Sequence, residues 1–434
     1  MFFTFRQASC GLAISIVSSL ALGTMAPARA ADPAAANTAA APGLTLRDAI
    51  VLALLNNAEL AVATRELEAG DAATMQARAR PNPELSLLLE DTRSATRTTT
   101  LQLSQPIETG GKRSARIEAA ERGRDIASAE LAARRAELRA VVVLAFRDVL
   151  VAQERIALAD DASALAARAS DAAGKRVLAG KISPVEETRA RVAESAVRLE
   201  SVQAQTQWRG ARLRLAALWG HVTPRFERVD GTAAELPALP SREVIEARAA
   251  ASPQLRRAQL EVQRRRALAE VERARGVPDL TLSLGVKRDQ ELGRNQAVIG
   301  LALPLPVFDD NRSNLLEALR REDKARDELA ATRTRLVSEA LQAREQLDAA
   351  RAEAKALRDD ILPGAQSAYL ASSKGFELGK FGFLDVLDAQ RTLFQAKSQH
   401  LNALAQAHRA AAEIDKLLGD SAEPSSQNTP GSTP

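Results

Sequence analysis

The feature that most constrains this chain is an internal repeat, because its two halves match at a nearly fixed offset. Pro83-Glu84-Leu85 aligns with Pro278-Asp279-Leu280 at a shift of 195, and Gly180-Lys181 aligns with Gly379-Lys380 at a shift of 199. The gene is therefore expected to be a tandem duplication, and both halves are expected to fold into the same order of elements.

Hydrophobic periodicity predicts the same elements in each half: a helix, two short strands, a very long helix, a tight turn and a returning helix. For the first half, residues 44–220, it predicts helices over 46–79, 112–178 and 184–219 and strands over 83–91 and 98–107. For the second half, residues 241–419, it predicts helices over 242–275, 313–376 and 383–418 and strands over 279–287 and 296–304. A linker that contains prolines, residues 221–240, joins the halves.

The strands have one apolar and one polar face, since apolar side chains alternate with polar ones. In the third strand, Leu280, Leu282, Leu284 and Val286 alternate with Thr281, Ser283, Gly285 and Lys287. A half-buried strand of a soluble protein has the same pattern. The neighbouring helices offer no separate globular core to cover four such strands, and this favours a sheet that faces a membrane.

No stretch of eighteen apolar residues follows the first thirty, so a transmembrane helix is not predicted. A chain that crosses a membrane without helices must do so as a closed β-barrel. Four strands are too few, because the smallest such barrels need about eight. Chains must therefore combine, and two chains would supply eight strands whereas three would supply twelve.

The ends of the chain are predicted to lie outside this fold. Residues 1–30 have the pattern of a secretory signal peptide, with basic Arg6, an apolar run over 11–22 and the small-x-small site Ala28-Arg29-Ala30. Cys10, the single cysteine, lies in this segment in a poor lipoprotein context, so no disulfide is expected in the mature chain. Residues 31–43 form a predicted N-terminal linker, and residues 420–434 a predicted disordered tail.

Composition excludes several classes of function. Once the predicted signal peptide, with Arg6 and Arg29, is removed, the chain has 57 basic and 55 acidic residues. This nearly neutral net charge gives no support for nucleic-acid binding. His400 and His408 are about 12 Å apart by helix rise, too far to share a metal ion. No nucleophile, base and orienting acid are assembled, so we expect neither an enzyme nor a cofactor or metal site.

Three motifs carry a resemblance to a known family. They are Gln105-Pro106-Ile107-Glu108-Thr109-Gly110-Gly111-Lys112-Arg113, its weaker echo at 305–312, and the segment from Gly379 to Gln390 that contains Asp385-Val386-Leu387-Asp388. Together they span essentially the whole mature chain. The chain resembles the TolC-type outer membrane efflux factors, and within them the heavy-metal (cobalt-zinc-cadmium resistance) branch.

The resemblance implies an α+β membrane protein of a Gram-negative bacterium that assembles as a homotrimer. Four transmembrane strands per chain would complete a 12-stranded β-barrel in the lipid of the outer membrane, and the helices would continue as a barrel across the periplasm. It further implies two partners: a periplasmic adaptor (membrane fusion) protein and an inner-membrane pump of the resistance-nodulation-division (RND) type.

The resemblance also implies roles for individual residues. Asp385 and Asp388 would form a carboxylate ring at the channel gate, whereas acids that favour a helix N-terminus are the competing explanation. Glu186 and Glu187 are the matching acids of the first half, at a different spacing. The turns at the periplasmic tips would dock the adaptor, although they are also ordinary helical hairpin turns; their residues are Gly180, Lys181, Ile182, Gly379, Lys380 and Phe381.

A structural role is expected for the strand-to-helix junction, because Gly110 and Gly111 allow backbone angles that other residues disfavour. Lys112 and Arg113 would then lie near the inner headgroup level. The leading hypothesis is a heavy-metal efflux channel, with the cargo open among cobalt, zinc, cadmium, nickel and copper. A drug or solvent channel, a type I secretion channel and, from another class, a soluble periplasmic helical scaffold are the alternatives.

Overall fold

The computed structural model describes residues 43–419, so the predicted signal peptide, most of the N-terminal linker and the predicted tail lie outside the described residues. The first half contains α1 Leu46–Asn56, α2 Ala58–Ala77, β1 Glu84–Glu90, β2 Thr98–Ile107, α3 Lys112–Leu178 and α4 Pro184–Ala217. The second half contains α5 Arg242–Ala251, α6 Pro253–Arg275, β3 Leu280–Asp289, β4 Arg294–Ala302, α7 Arg312–Ala356, α8 Leu362–Glu377 and α9 Phe383–Leu418. The order of elements is the same in both halves.

The first predicted helix of each half was wrong in one respect, because each is broken once. At Asn57 the side-chain oxygen accepts a hydrogen bond from the Leu60 N–H at 3.0 Å, which caps α2, and its amide donates to the Leu218 carbonyl at 2.9 Å. At Ser252 the hydroxyl accepts from the Leu255 N–H at 3.3 Å, and Pro253 occupies the first turn of α6. These two polar caps end one helix and start the next.

The long helices agree more closely with the prediction. Helix α3 runs for 67 residues without a break, from Lys112 to Leu178 as expected. The predicted helix over 313–376 is continuous but includes one π-helical turn, Leu357–Ile361, just before Pro363. Because proline lacks an N–H and its ring crowds the carbonyl four residues earlier, a wider turn at this point lets the helix pass.

The described strands form one antiparallel sheet in the order β1-β2-β3-β4. Leu103 of β2 lies opposite both Leu85 of β1 and Leu284 of β3, and Leu284 lies opposite Ile299 of β4. This register places most of the apolar side chains of the four strands on one side of the sheet, with Leu88 and Val298 on the other. None of the described helices is long and apolar enough to cross a lipid bilayer.

The buried residues lie between helices. One cluster centres on Phe146, Val149 and Leu215 and joins α1, α3 and α4, and a second centres on Leu336, Leu347 and Ile414 and joins α5, α7 and α9. Many of the other buried side chains are alanines, which let helices approach closely.

Residues 221–240 form a segment that packs on the helices, and we call it the strap. Gln153 of α3 binds both the N–H and the carbonyl of Val229, at 2.8 and 3.1 Å, and Val229 is 1% exposed. Arg344 of α7 donates to the Pro240 carbonyl at 3.0 Å. The strap therefore ties the first half to the second.

Candidate functional site

The apolar face of the sheet is exposed in the described chain. It consists of Leu85, Leu87, Leu101, Leu103, Leu282, Leu284, Val286, Ile299 and Leu301, whose side chains are 38% to 76% exposed. Such a continuous exposed apolar surface is rare on soluble monomers and marks a face that contacts lipid or protein.

The opposite face of the sheet, the polar face, carries hydroxyl, amide and charged groups. Ser86 lies opposite Gln102, Thr100 lies opposite Lys287, and Ser104 lies opposite Ser283. The Ser104 and Ser283 hydroxyl oxygens are 2.9 Å apart and share a hydrogen bond. This face suits water, so the sheet separates a polar from an apolar environment.

Both outer strands of the sheet have an unpaired edge among the described residues. Strand β1 pairs with β2 alone and β4 pairs with β3 alone. Unpaired backbone groups at such edges favour pairing with a strand from another chain.

The predicted strand-to-helix junction takes the expected backbone form. Gly110 and Gly111 have φ of +63° and +74°, and a Cβ on Gly110 would lie 2.6 Å from the Val277 Cβ. Both the left-handed angle and the close approach therefore require glycine at position 110.

Lys112 and Arg113 have specific partners at this junction. The Lys112 Nζ lies 2.8 Å from Asp279 Oδ1, and the Arg113 Nε donates to the Arg78 carbonyl at 2.9 Å. Burial acts to raise the pKa of Asp279, but hydrogen bonds from Lys112 and the Thr109 N–H outweigh it and hold that pKa below its ordinary value. The junction of the first half is thus joined to the start of β3.

Sequence reasoning missed Arg116, which contributes as much to this junction as Lys112 does. Its guanidinium donates to the carbonyls of Ala77 at 3.1 Å and Ala79 at 3.0 Å and pairs with Glu108. The signal was available, because Glu108 and Arg116 flank the glycine pair at a spacing of eight residues.

The weaker echo in the second half builds an equivalent junction with different chemistry. Asn311 has φ of +60° and occupies the position before α7 that Gly111 occupies before α3. Its amide donates to the Glu272 carbonyl at 2.7 Å, and Glu272 aligns with Ala77 at the shift of 195. Asparagine tolerates this angle better than most residues other than glycine.

The two predicted tips, residues 180–183 and 379–382, have the same main-chain hydrogen bonds. The Lys181 N–H donates to Arg176 at 2.9 Å, and the Lys380 N–H donates to Gly375 at 2.7 Å. In both tips the preceding glycine is left-handed, Gly180 at +68° and Gly379 at +73°. Each tip is therefore a Schellman motif that ends one helix before the next begins.

The apolar residues at the tips differ in exposure. Ile182 is half-buried and packs with Phe376 and Leu387 around the buried Ala173 and Ala190, whereas Phe381 is 50% exposed and lies over Gly375. The Arg176 guanidinium lies 3.7 Å from the centre of the Phe376 ring. The docking role predicted for Ile182 requires an exposed side chain, whereas Phe376 of α8 and Leu387 of α9 partly cover it.

The structure places Asp385 and Asp388 in the first turns of α9, both exposed. The Asp385 carboxylate accepts the Gly382 N–H at 2.8 Å, so it caps the helix. Within the described chain, the Asp388 carboxylate has no ion-pair or hydrogen-bond partner. Local capping therefore explains Asp385, but not Asp388.

No group of three His, Cys, Asp or Glu side chains suited to a metal ion is found among residues 43–419. His408 instead donates to the Ala233 carbonyl of the strap at 3.3 Å. Burial, together with the nearby Arg147, lowers the pKa of His408. This histidine has a structural role.

The chain matches the outer membrane efflux protein family over residues 49–221 and 244–420. It is 48% identical to the cobalt-zinc-cadmium resistance protein CzcC of Cupriavidus metallidurans over 410 residues, which are 94% of this chain and 98% of the relative. Two solved structures share the fold: a membrane protein from Pseudomonas aeruginosa, with a TM-score of 0.75 and 22% identity, and CusC, with a TM-score of 0.72 and 19% identity. Each alignment covers 86% of this chain and 92% of the other.

Proposed function

Because the chain belongs to the outer membrane efflux protein family, we propose that it forms the exit channel of a tripartite pump for heavy-metal cations. The chain is an outer-membrane efflux protein and not an enzyme. The cargo assignment rests on one observation: the chain is 48% identical, over 94% of its length, to a protein named for cobalt, zinc and cadmium resistance. We therefore assign these three cations as the cargo.

We further propose a homotrimer in which three four-stranded sheets close one 12-stranded barrel. Three features of the sheet support this assembly: the exposed apolar face, the polar face opposite it, and the open edges of β1 and β4. Pairing β4 of one chain with β1 of the next would satisfy both edges and place the apolar face in lipid.

The helices would then extend from the barrel into the periplasm. The α3 helix alone is about 100 Å long at 1.5 Å per residue. Lys112 and Arg113 would lie close to the inner headgroups, since they directly follow β2. Residues 44–220 and 241–419 would be two tandem repeats, and their matching tips and junctions support this division.

The tips would dock the periplasmic adaptor, which in turn contacts the RND pump. The exposed Phe381, Leu178 and Leu378 support this role, because apolar side chains that are 50% to 90% exposed at a chain reversal suit a protein contact. Asp385 and Asp388 would line the gate nearby. The free carboxylate of Asp388 supports a cation-attracting ring there.

Deletion of the gene from its host tests the function. We expect the deletion strain to accumulate cobalt, zinc and cadmium and to become sensitive to them, and we expect the wild-type gene to restore export. Unchanged metal accumulation together with new drug or solvent sensitivity would overturn the cargo assignment and support the drug-channel alternative.

A further inference from the structure

The charged side chains of the polar face are concentrated at one end of the sheet. Glu90, Thr98, Asp289 and Arg294 form one row across the four strands, beside the loops that join β1 to β2 and β3 to β4. Lys287 lies in the next row, opposite Thr100. The two rows that follow carry Glu84 as their single charged residue.

Two of these charges form an ion pair that reaches across a strand. The Lys287 Nζ of β3 lies 3.3 Å from the Glu90 Oε2 of β1, although β2 separates the two strands. The side chains therefore meet above the polar face of β2. There the Thr98 hydroxyl also donates to Glu90 Oε2, at 3.0 Å.

Both partners are open to the space in front of the polar face. The Lys287 side chain is 33% exposed and that of Glu90 is 52% exposed. In water, an exposed pair of this kind contributes little to stability. The pair does affect the electrostatic potential in the surrounding space, because each partner cancels the field of the other.

We propose that Glu90 determines the charge selectivity at the outer end of the channel, which is the end of the sheet away from the helices. It does so by neutralising Lys287. This inference rests on the proposed function, in which the polar face lines the pore. Three chains would place three lysines around one aqueous path. Unpaired, these ammonium groups would repel divalent cations over a distance of about 8 Å at physiological ionic strength.

The other two charged residues in these rows of the polar face have opposite charges. Asp289 and Arg294 lie opposite each other, and the Asp289 carboxylate accepts the Leu292 N–H at 3.0 Å. Glu90, Lys287, Asp289 and Arg294 sum to zero, so removing Glu90 alone leaves one excess positive charge per chain. In the trimer, the ring formed by the three copies of these four residues would then change from neutral to positive.

The substitution Glu90→Gln removes the charge and keeps the shape, and its side-chain oxygen can still accept the Thr98 hydroxyl. The reverse change, Lys287→Gln, leaves Glu90 unpaired and makes the ring negative. A double variant, Glu90→Lys with Lys287→Glu, exchanges the charges and restores the pair. It is the matched control, because it alters both residues but not the net charge.

The test is the reversal potential of the purified full-length protein in planar bilayers, measured first across a KCl gradient and then across a CoCl2 gradient. We expect Glu90→Gln to lower the cation-to-anion permeability ratio by about threefold or more, with the larger change for Co²⁺, because a divalent ion feels twice the repulsion. Lys287→Gln should raise the ratio, and the charge-exchanged variant should match the wild type.

Two results would overturn the proposal, and they are distinguishable. If conducting Glu90→Gln channels keep the wild-type selectivity, the ion pair only links strands β1 and β3, and the proposal is wrong. A wild-type protein that forms no conducting channel would overturn the proposed function itself, and the role of Glu90 with it.

Discussion

The two tips have the same backbone and different side-chain chemistry. Gly180 and Gly379 take the same left-handed angle and are followed by equivalent hydrogen bonds. In the first tip the Ser183 hydroxyl caps the returning helix, whereas in the second tip Gly382 has no side chain and Asp385 supplies the cap. The turn geometry has been kept in both halves while the capping group has moved.

The acidic residues that follow the two turns differ in their ion pairs. Glu186 and Glu187 of α4 lie within ion-pair distance of Arg189 and Arg191, one turn along the helix. Asp388 of α9 has no ion-pair partner among the described residues. The first tip thus neutralises its acids, and the second keeps a free carboxylate, which fits a gate formed by the second half alone.

The largest effect should come from reversing the charge of that free carboxylate. We expect Asp388→Lys to reduce the cation-to-anion permeability ratio about tenfold, because three lysines would replace three carboxylates at the proposed gate. Reversal potentials in planar bilayers measure the ratio. Glu187→Lys in the first tip is the matched charge reversal and should change the ratio far less, because the proposed gate belongs to the second half; an equal effect of the two substitutions would remove the distinction between the tips.

The shared backbone predicts equal effects at the two turn glycines. Gly180→Ala and Gly379→Ala should each destabilise their tip by about 1–2 kcal/mol, since a Cβ is unfavourable at these angles although space is available. Hydrogen exchange at the Lys181 and Lys380 amides reports the free energy of local opening. A large effect in one tip and none in the other would contradict the structural equivalence.

Two helical glycines near the tips should respond with opposite signs. A Cβ on Gly375 would lie 2.1 Å from the Phe381 ring, so Gly375→Ala should destabilise the second tip by about 1 kcal/mol. A Cβ on Gly174 would meet Glu187 at an ordinary 3.5 Å, so Gly174→Ala should stabilise the first tip by about 0.5–1 kcal/mol. The same exchange measurement checks both, and changes of the same sign would show that Phe381 does not rest on Gly375.

The smallest effect on stability is expected when the pH is lowered, and the stability of the tips should not change. Burial lowers the pKa of His408 below its ordinary value, so the unfolded chain takes up a proton first as the pH falls. The stability that neutral His408 confers is therefore present above about pH 6.5 and is lost as the pH drops toward its folded-state pKa. When the pH is lowered from 7.5 to 5.5, the protection factors of amides in the strap around Val229, corrected for the intrinsic exchange rate at each pH, should fall, and His408→Gln should abolish that fall. An equal fall in protection at the tip amides would contradict the assignment to His408.

Local sequence signals predicted most of the elements. Helix α3 and strand β2 have the predicted bounds, because the change of period between them and the glycine pair at 110–111 are strong signals. The helix breaks at Asn57 and Ser252 were visible as capping residues, but the longer apolar pattern concealed them. Asn311 was missed as the counterpart of Gly111, since its angle depends on its hydrogen bond to Glu272.

What the sequence did not predict depends on contacts between distant segments. The burial of Ile182 requires Phe376 and Leu387, about two hundred residues away along the chain. The packing of the strap depends on Gln153 and Arg344, from both halves. The π-helical turn before Pro363 has no local pattern that distinguishes it from a kink.

Whether three copies share one outer-membrane barrel can be measured by isolating the outer-membrane fraction and running the protein on a semi-native gel with and without heating. We expect a trimer-sized band in that fraction that collapses to a single chain on heating. A monomer in the soluble periplasmic fraction would contradict it, and would leave the apolar face of the sheet without the lipid that the proposal requires.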